Sequence, residues 1–347
     1  MKVTIREVAR RAGVSTKTVS RVINQQGEIT EETRARVQAV IDELGYRPNI
    51  LARSLVSQRS NMLGVVTWGL NYYTPSRIVV GIEQRSSEFG FSLFLHLISH
   101  PTAAGAENIL NILADHRVEG IIWAIPEVGE NHNWIRRSSF DTLPPIVFLN
   151  APSRPGLDSV AVDNRRGGEL AARHLIDQGC RKIGLIKGPP GWWEAEERFA
   201  GWQDALNQAG IEVLPDRVVQ AEWSVETGMQ AMRRLLAQAP EIDGVFCSSD
   251  DIALGALSAA MQAGRRIPGD LALIGFDNIP QSAYFHPPLT TIDQPLARTG
   301  RAAVDLLLER ISHRRSGKEP ADEEASAHVL EPRLVIRASS ERAEVIS

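Results

Sequence analysis

The sequence predicts an α/β protein carrying a small all-α head at its N-terminus, and three observations lead there. The first 45 residues repeat their apolar positions at helical spacing, broken by glycines at short intervals. From about residue 61 onward, short apolar runs alternate with longer amphipathic stretches, the pattern of parallel sheets flanked by helices. The chain has 347 residues, 43% of them apolar, enough to bury a large core and to form two or three domains.

The head divides into three helices. Thr4 and Glu7 have capping-box spacing, in which the hydroxyl accepts from a helical amide and the carboxylate reaches back to the cap. Ile5, Val8, Ala9 and Ala12 follow on one face, and Gly13 supplies the left-handed backbone that a sharp stop needs. Ser15 is typed to cap the second helix, where Val19, Val22 and Ile23 point inward. Thr16, Lys17, Ser20, Arg21 and Asn24 then share the opposite, polar face. A third helix is predicted from Thr30, with Glu31 and Glu32 at its positive end and Gly45 as its stop.

Two short helices around a tight turn, with one polar face left over, describe a helix-turn-helix whose second helix enters the major groove of DNA. A three-helix structural bundle with a solvated face explains the same periodicity, and charge separates the two readings. Residues 1–60 carry 11 Lys and Arg against 6 Asp and Glu, a net +5, whereas residues 61–347 carry 27 against 36, a net −9. A basic head on an acidic body fits phosphate attraction confined to one end.

In the body, strands are predicted at 62–67, 91–97, 120–123, 146–149, 183–186, 244–247 and 271–275. Helices are predicted between them at 76–89, 108–116, 165–178, 198–209, 227–237 and 250–263. Asn150, Ser249, Asp250 and Asp277 each follow a predicted strand, where ligands of open α/β sheets bind. The segment 316–326 is polar and reads as a flexible crossover, and Leu330–Arg337 reads as a final strand.

The chain resembles the lactose-repressor (LacI) family of bacterial transcription regulators. In the head the resemblance rests on Val14-Ser15, Thr18-Val19-Ser20-Arg21-Val22-Ile23-Asn24, Gly45-Tyr46-Arg47-Pro48-Asn49 and Ala52-Arg53-Ser54-Leu55. In the body it rests on Ala200-Gly201-Trp202, Ser249-Asp250, Ala253-Leu254-Gly255-Ala256, Ile274-Gly275-Phe276-Asp277 and Pro287-Pro288-Leu289-Thr290-Thr291-Ile292. The motifs are collinear over essentially the whole chain.

The resemblance implies a helix-turn-helix domain at 1–47 and a hinge helix with linker at 48–60. It also implies a two-lobed, periplasmic-binding-protein-like core at 61–347 that binds effector and dimerises. The near lobe takes about 61–161 and 295–325, the far lobe about 162–292 and 328–340, with three crossovers between them. It further implies that Thr16, Lys17 and Arg21 read bases, Arg21 being suited to a bidentate contact with guanine. Thr4, Ser15, Thr18, Ser20, Asn24 and Thr33 match positions that contact phosphate, which sets register. Asn49, Ala52 and Leu55 match the hinge, Leu55 as a minor-groove wedge.

In the cleft, Arg198 matches an arginine that grips hydroxyls or a carboxylate, and Asp277 matches an acidic hydroxyl acceptor. Asn150, Ser249 and Gln294 match polar lining positions, while Tyr72, Ile78, Trp223 and Phe276 match apolar or aromatic walls. Rings against the C–H faces of a sugar, with charges at its hydroxyl edges, make a carbohydrate site. Some positions depart from the family pattern. Ala124 stands where some relatives are polar, Trp192-Trp193-Glu194 falls in a loop built differently elsewhere, and Tyr72-Tyr73 makes the entrance aromatic.

The expected function is a cytoplasmic, effector-controlled regulator, a repressor of carbohydrate-utilisation genes that binds a palindromic operator as a homodimer. The alternatives are the same regulator answering to a purine or nucleoside, and a sugar-binding module or enzyme with a vestigial head. An apolar signal segment, an 18-residue apolar run and a heptad tail are not found in the sequence, which argues for cytoplasm and dimer. Cys180 and Cys247 lack metal-ligand spacing and read as buried, reduced residues; His96 and His100 are four apart, but an apolar strand pattern surrounds His96, which argues against a metal pair. The phosphate-cradling, nucleophile-elbow and zinc-protease motifs are missing. The acidic group Glu194, Glu196 and Glu197 reads as a solvated loop. The reading therefore contains no catalytic residue, metal or cofactor.

Overall fold

The computed structural model describes residues 3–23, 27–46, 59–102, 105–135, 143–316 and 325–342. The chain divides into two compact units, Met1–Ser60 and Asn61–Ser347.

The first unit holds α1 (Ile5–Ala12), α2 (Thr16–Ile23) and α3 (Glu31–Leu44) around a core of Val8, Ala9, Ala12, Val19, Val22 and Val37. Thr4 Oγ1 accepts from the Glu7 amide at 3.4 Å, forming half of the expected capping box. The other half is absent because the Glu7 carboxylate is taken by Arg10, one turn further along. Gly13 (φ 67°) ends α1 with the Val14 amide on the Ala9 carbonyl at 3.0 Å, and Gly45 (φ 58°) ends α3 in the same way. Ser15 Oγ caps α2 by accepting from the Thr18 amide at 3.1 Å.

The second unit contains two six-stranded sheets. The near sheet is built from β1 (Met62–Trp68), β2 (Ser92–Ile98), β3 (Gly120–Ala124), β4 (Ile146–Leu149), β5 (Asp158–Val162) and β11 (Ala327–Leu330), in the order β11-β5-β4-β3-β1-β2. The far sheet takes β6 (Ile183–Lys187), β7 (Val218–Gln220), β8 (Gly244–Cys247), β9 (Ala272–Asp277), β10 (Thr290–Asp293) and β12 (Arg333–Val335), in the order β12-β10-β9-β8-β6-β7. Every pairing is parallel except β10 with β12. Central strands such as β1 and β8 are buried on both faces, which explains their unbroken apolar runs.

The helices are α4 (Tyr73–Glu88), α5 (Ala106–Asp115), α6 (Asn164–Asp177), α7 (Trp193–Gln208), α8 (Val225–Gln238), α9 (Asp250–Gln262) and α10 (Leu296–Arg315). The chain crosses between the sheets after β5, after β10 and after β11. One boundary differs from expectation: Ala327–Leu330 pairs with β5 of the near sheet, so the last crossover falls at Glu331-Pro332 and not before residue 328. The proline lacks the amide that would continue a ladder, and it splits what reads in sequence as one strand.

Several glycines bring helices into backbone contact. A Cβ on Gly201 would lie 1.8 Å from the Arg165 carbonyl, and one on Gly168 would lie 2.0 Å from the Arg198 carbonyl. Side chains larger than hydrogen would push α6 and α7 apart. The glycine of the Ala200-Gly201-Trp202 motif thus seats the helix that carries Arg198.

Candidate functional site

Two regions have the composition of a recognition site, one in each unit. In the first unit, Thr16, Lys17 and Arg21 are exposed along α2, and Val19 and Val22 on its other face are buried. The side chain of Arg21 lies back over Gly27. Thr4 and Ser15 are exposed and serve as helix caps, Thr18 and Ser20 are half-buried on α2, and Thr33 is half-buried in the first turn of α3. Asn24, Asn49, Ala52 and Leu55 lie outside the described residues.

In the second unit, a cleft opens where the carboxyl ends of both sheets face each other. Counted to its open mouth, with the solvent space there included, it encloses about 780 Å³. Tyr72, Ile78, Asn150, Arg198, Trp223, Ser249 and Asp277 line it, seven of the nine residues expected there. Phe276 and Gln294 lie directly behind the wall. The Phe276 ring sits 3.7 Å beneath the Arg198 guanidinium, and Gln294 Nε2 donates to Asp277 Oδ1 at 2.6 Å. Both position lining side chains without facing the cavity.

Arg198 is 5% exposed and fixed on two sides. Its Nε donates to Asn164 Oδ1 at 2.8 Å and its Nη1 donates to the Ser248 carbonyl at 2.5 Å. Asp277 Oδ1 lies 4.0 Å from the same Nη1 and also accepts from Thr74 Oγ1 at 3.5 Å, so a near-lobe hydroxyl meets a far-lobe carboxylate in the cleft. Arg198 Nη2 has no hydrogen bond among the described residues and remains a donor for a ligand.

Burial pushes the Asp277 carboxyl up to about 6, against the opposing pull of Arg198 and the Gln294 hydrogen bond. Its φ of 113°, followed by Asn278 at 50°, is a backbone state rare outside glycine. Asn150, at φ 49°, is a third such residue, and all three sit at strand ends beside the cleft. The Asn150 Oδ1 atom is buried and unpartnered.

Sequence reasoning missed part of the site. Trp192-Trp193-Glu194 is not a loop that leads into a later helix, because α7 already begins at Trp193. Glu194 therefore stands one turn before Arg198 and lines the cleft; it is not a solvated carboxylate. Burial pushes its carboxyl up to about 7, with Arg198 and a hydrogen bond from Asn150 pulling it down and Asp277 pushing it up. Trp68, Tyr73, Thr74, Trp192 and Asp251 also face the cavity. The i, i+4 spacing of Glu194 and Arg198 was the signal that could have found the first of these.

Asp250, in contrast, is withdrawn from the cavity. Its carboxylate accepts from the Ile279 amide at 2.9 Å and from Thr291 Oγ1 at 2.6 Å, and so pins the loop after Asp277. The aromatic wall continues through Trp192, which packs on Trp68 (5.1 Å, 58°) and edge-on against Trp223 (5.7 Å, 82°). Gly188 makes room for Trp223, since a Cβ there would fall 2.2 Å from its ring.

Cys180 and Cys247 are buried thiols outside any disulfide, and burial raises both, Cys180 to about 11. No group of His, Cys, Asp and Glu among the described residues is arranged to hold a metal. No helix among them is long and apolar enough to cross a membrane.

Comparison with known proteins agrees with this geometry. Residues 4–49 match the family described as bacterial regulatory proteins, lacI family, and residues 172–340 match the periplasmic binding protein-like domain. The HTH-type transcriptional repressor PurR of Mannheimia succiniciproducens is 36% identical over 337 residues, covering 97% of this chain and 98% of that protein. The PurR of Pasteurella multocida is 36% identical over 336 residues, covering 97% and 98%.

Among solved structures, the lac repressor dimer bound to operator and the anti-inducer ONPF superposes with a TM-score of 0.85 at 29% identity, covering 98% of this chain and 99% of that one. The transcriptional regulator CelR in complex with cellobiose superposes with a TM-score of 0.71 at 31% identity, covering 98% and 100%. The protein is a non-catalytic, effector-responsive, DNA-binding transcriptional regulator, and the chain belongs to the LacI family.

Proposed function

We propose that this regulator is a repressor controlled by a small sugar, bound in the cleft of residues 61–347. The observation that carries the reading is the alternation of donors and acceptors within an aromatic wall. Arg198 Nη2 donates, Asp277, Glu194 and Asn150 Oδ1 accept, and Trp68, Tyr72, Trp192 and Trp223 surround them. A pyranose presents hydroxyls that both donate and accept at its edge and C–H groups on its faces, so it matches such a lining.

A second reading, a purine or nucleoside effector, is favoured by the names of the curated relatives and their 36% identity along the whole chain. Thermal unfolding of the full chain against sugars and purines separates the two. A ligand at about 100 times its dissociation constant adds roughly 2.7 kcal/mol, a visible shift. A shift with a sugar that is lost in Arg198→Lys supports the first reading; a shift with purines alone replaces it.

On the DNA side, Thr16, Lys17 and Arg21 read base edges, while Thr4, Ser15, Thr18, Ser20, Asn24 and Thr33 contact phosphates. Asn49, Ala52 and Leu55 form the minor-groove hinge. Two copies read a palindromic operator, in keeping with the dimeric, operator-bound lac repressor that the fold matches. The domain limits that follow are 1–47, 48–60 and 61–347. Effector acts by binding the two lobe arrangements with unequal affinity.

A further inference from the structure

We infer that the cleft selects an uncharged effector and that Glu194 is the residue that excludes anions, an inference that rests on the reading of this cleft as the effector site. The lining carries three carboxylates, Glu194, Asp251 and Asp277, against one guanidinium, that of Arg198. That guanidinium has its Nε on Asn164, its Nη1 on the Ser248 carbonyl and its face on the Phe276 ring, with Asp277 alongside, which leaves Nη2 as its one remaining donor. Of the cations around it, Lys187 and Arg154 are paired with carboxylates outside the cavity, and Arg77 stands beside Tyr73 of the lining. Lys187 Nζ holds Glu196 at 2.6 Å, and Arg154 Nη2 holds Glu127 at 2.7 Å.

The position of Glu194 adds to the charge balance. It stands in the first turn of α7, whose N-terminus borders the cleft through Trp192, and a helix N-terminus is the natural seat of a phosphate or carboxylate. Here that seat already holds a carboxylate of the protein. The amide of Trp193 is also spent, donating to the Glu127 carbonyl at 3.0 Å. An anionic ligand would meet Glu194 and Asp277 in a site of low dielectric, where like charges repel strongly. A hydroxyl would meet two acceptors, with the buried and unpartnered Asn150 Oδ1 as a third.

The test uses the full chain at pH 8 and a panel of neutral hexoses, disaccharides including cellobiose, and purine nucleosides, each beside its phosphorylated form. Binding is read by calorimetry in wild type and in Glu194→Gln and Glu194→Asp. The expected result is a neutral ligand that outbinds its phosphorylated partner at least 100-fold, a ratio that Glu194→Gln cuts tenfold or more and Glu194→Asp largely restores.

A purine nucleoside that outbinds its nucleotide while every sugar is silent would replace the sugar reading and still support anion exclusion. The inference is overturned if a phosphorylated member binds as well as its neutral partner, if the ratio survives in Glu194→Gln, or if no neutral member binds at all.

Discussion

Glu194→Gln removes one charge from the cleft and leaves the shape of the side chain unchanged, so its effect on stability can be worked from the structure. The carboxyl is held at about 7 in the folded protein, against 4.5 for an ordinary glutamate. A raised value means that the folded state keeps a proton the unfolded chain has lost between those limits. Stability therefore falls as pH rises from about 4.5 to about 7, and above 7 the whole penalty is present. The full interval corresponds to about 3 kcal/mol. Coupling to Arg198 and water in the open cleft reduce this to about 1–2 kcal/mol in practice. The assay is thermal or urea unfolding of wild type and variant from pH 5 to pH 8. The two should coincide near pH 5, and the variant should be more stable at pH 8 by about 2–6 °C in Tm. A wild type more stable at pH 8, or a gap of the same size at both ends of the range, would refute the burial argument.

Other consequences follow from particular contacts. Arg198→Lys keeps a positive charge but cannot hold Asn164 and the Ser248 carbonyl while stacking on Phe276, so the ligand-induced rise in Tm should vanish. Gly201→Ala places a methyl 1.8 Å from the Arg165 carbonyl and should destabilise the core by about 1–3 kcal/mol in urea unfolding. Arg21→Ala should weaken operator binding by about 1–3 kcal/mol and relax preference at one base pair, read by anisotropy against single-base operator variants.

The fold was largely legible because its central strands are apolar on both faces and its head helices carry explicit stops at Gly13 and Gly45. What escaped had a physical reason. The strand Thr290–Asp293 hides behind two buried threonines whose hydroxyls bond the Arg337 carbonyl and Asp250 Oδ1, so polarity concealed a core position. Helix α10 lacked any assignment, since its apolar residues are diluted by arginines that reach Glu88, Asp158 and Glu119. Pro332 marked a crossover but was read as part of one strand. In the cleft, Arg198 and Asp277 followed from motifs. Glu194 did not, because three glutamates after two tryptophans look like a solvated turn until the start of α7 is known. Phe276 and Gln294 were placed one layer too far forward, because a sequence motif does not distinguish a side chain that faces the cavity from one that braces it.

Under the proposed function, occupancy of the cleft at Arg198 and Asp277 controls DNA binding by the head. The most direct measurement is the affinity of the full chain for an operator selected from a randomised duplex pool, at fixed salt, with and without the ligand found by the unfolding screen. The ligand should change operator affinity at least fivefold in either direction, an effect abolished in Asp277→Asn, with DNA binding by the unliganded variant retained. Operator affinity that ignores a ligand bound in the cleft, or a response that persists in Asp277→Asn, would contradict it.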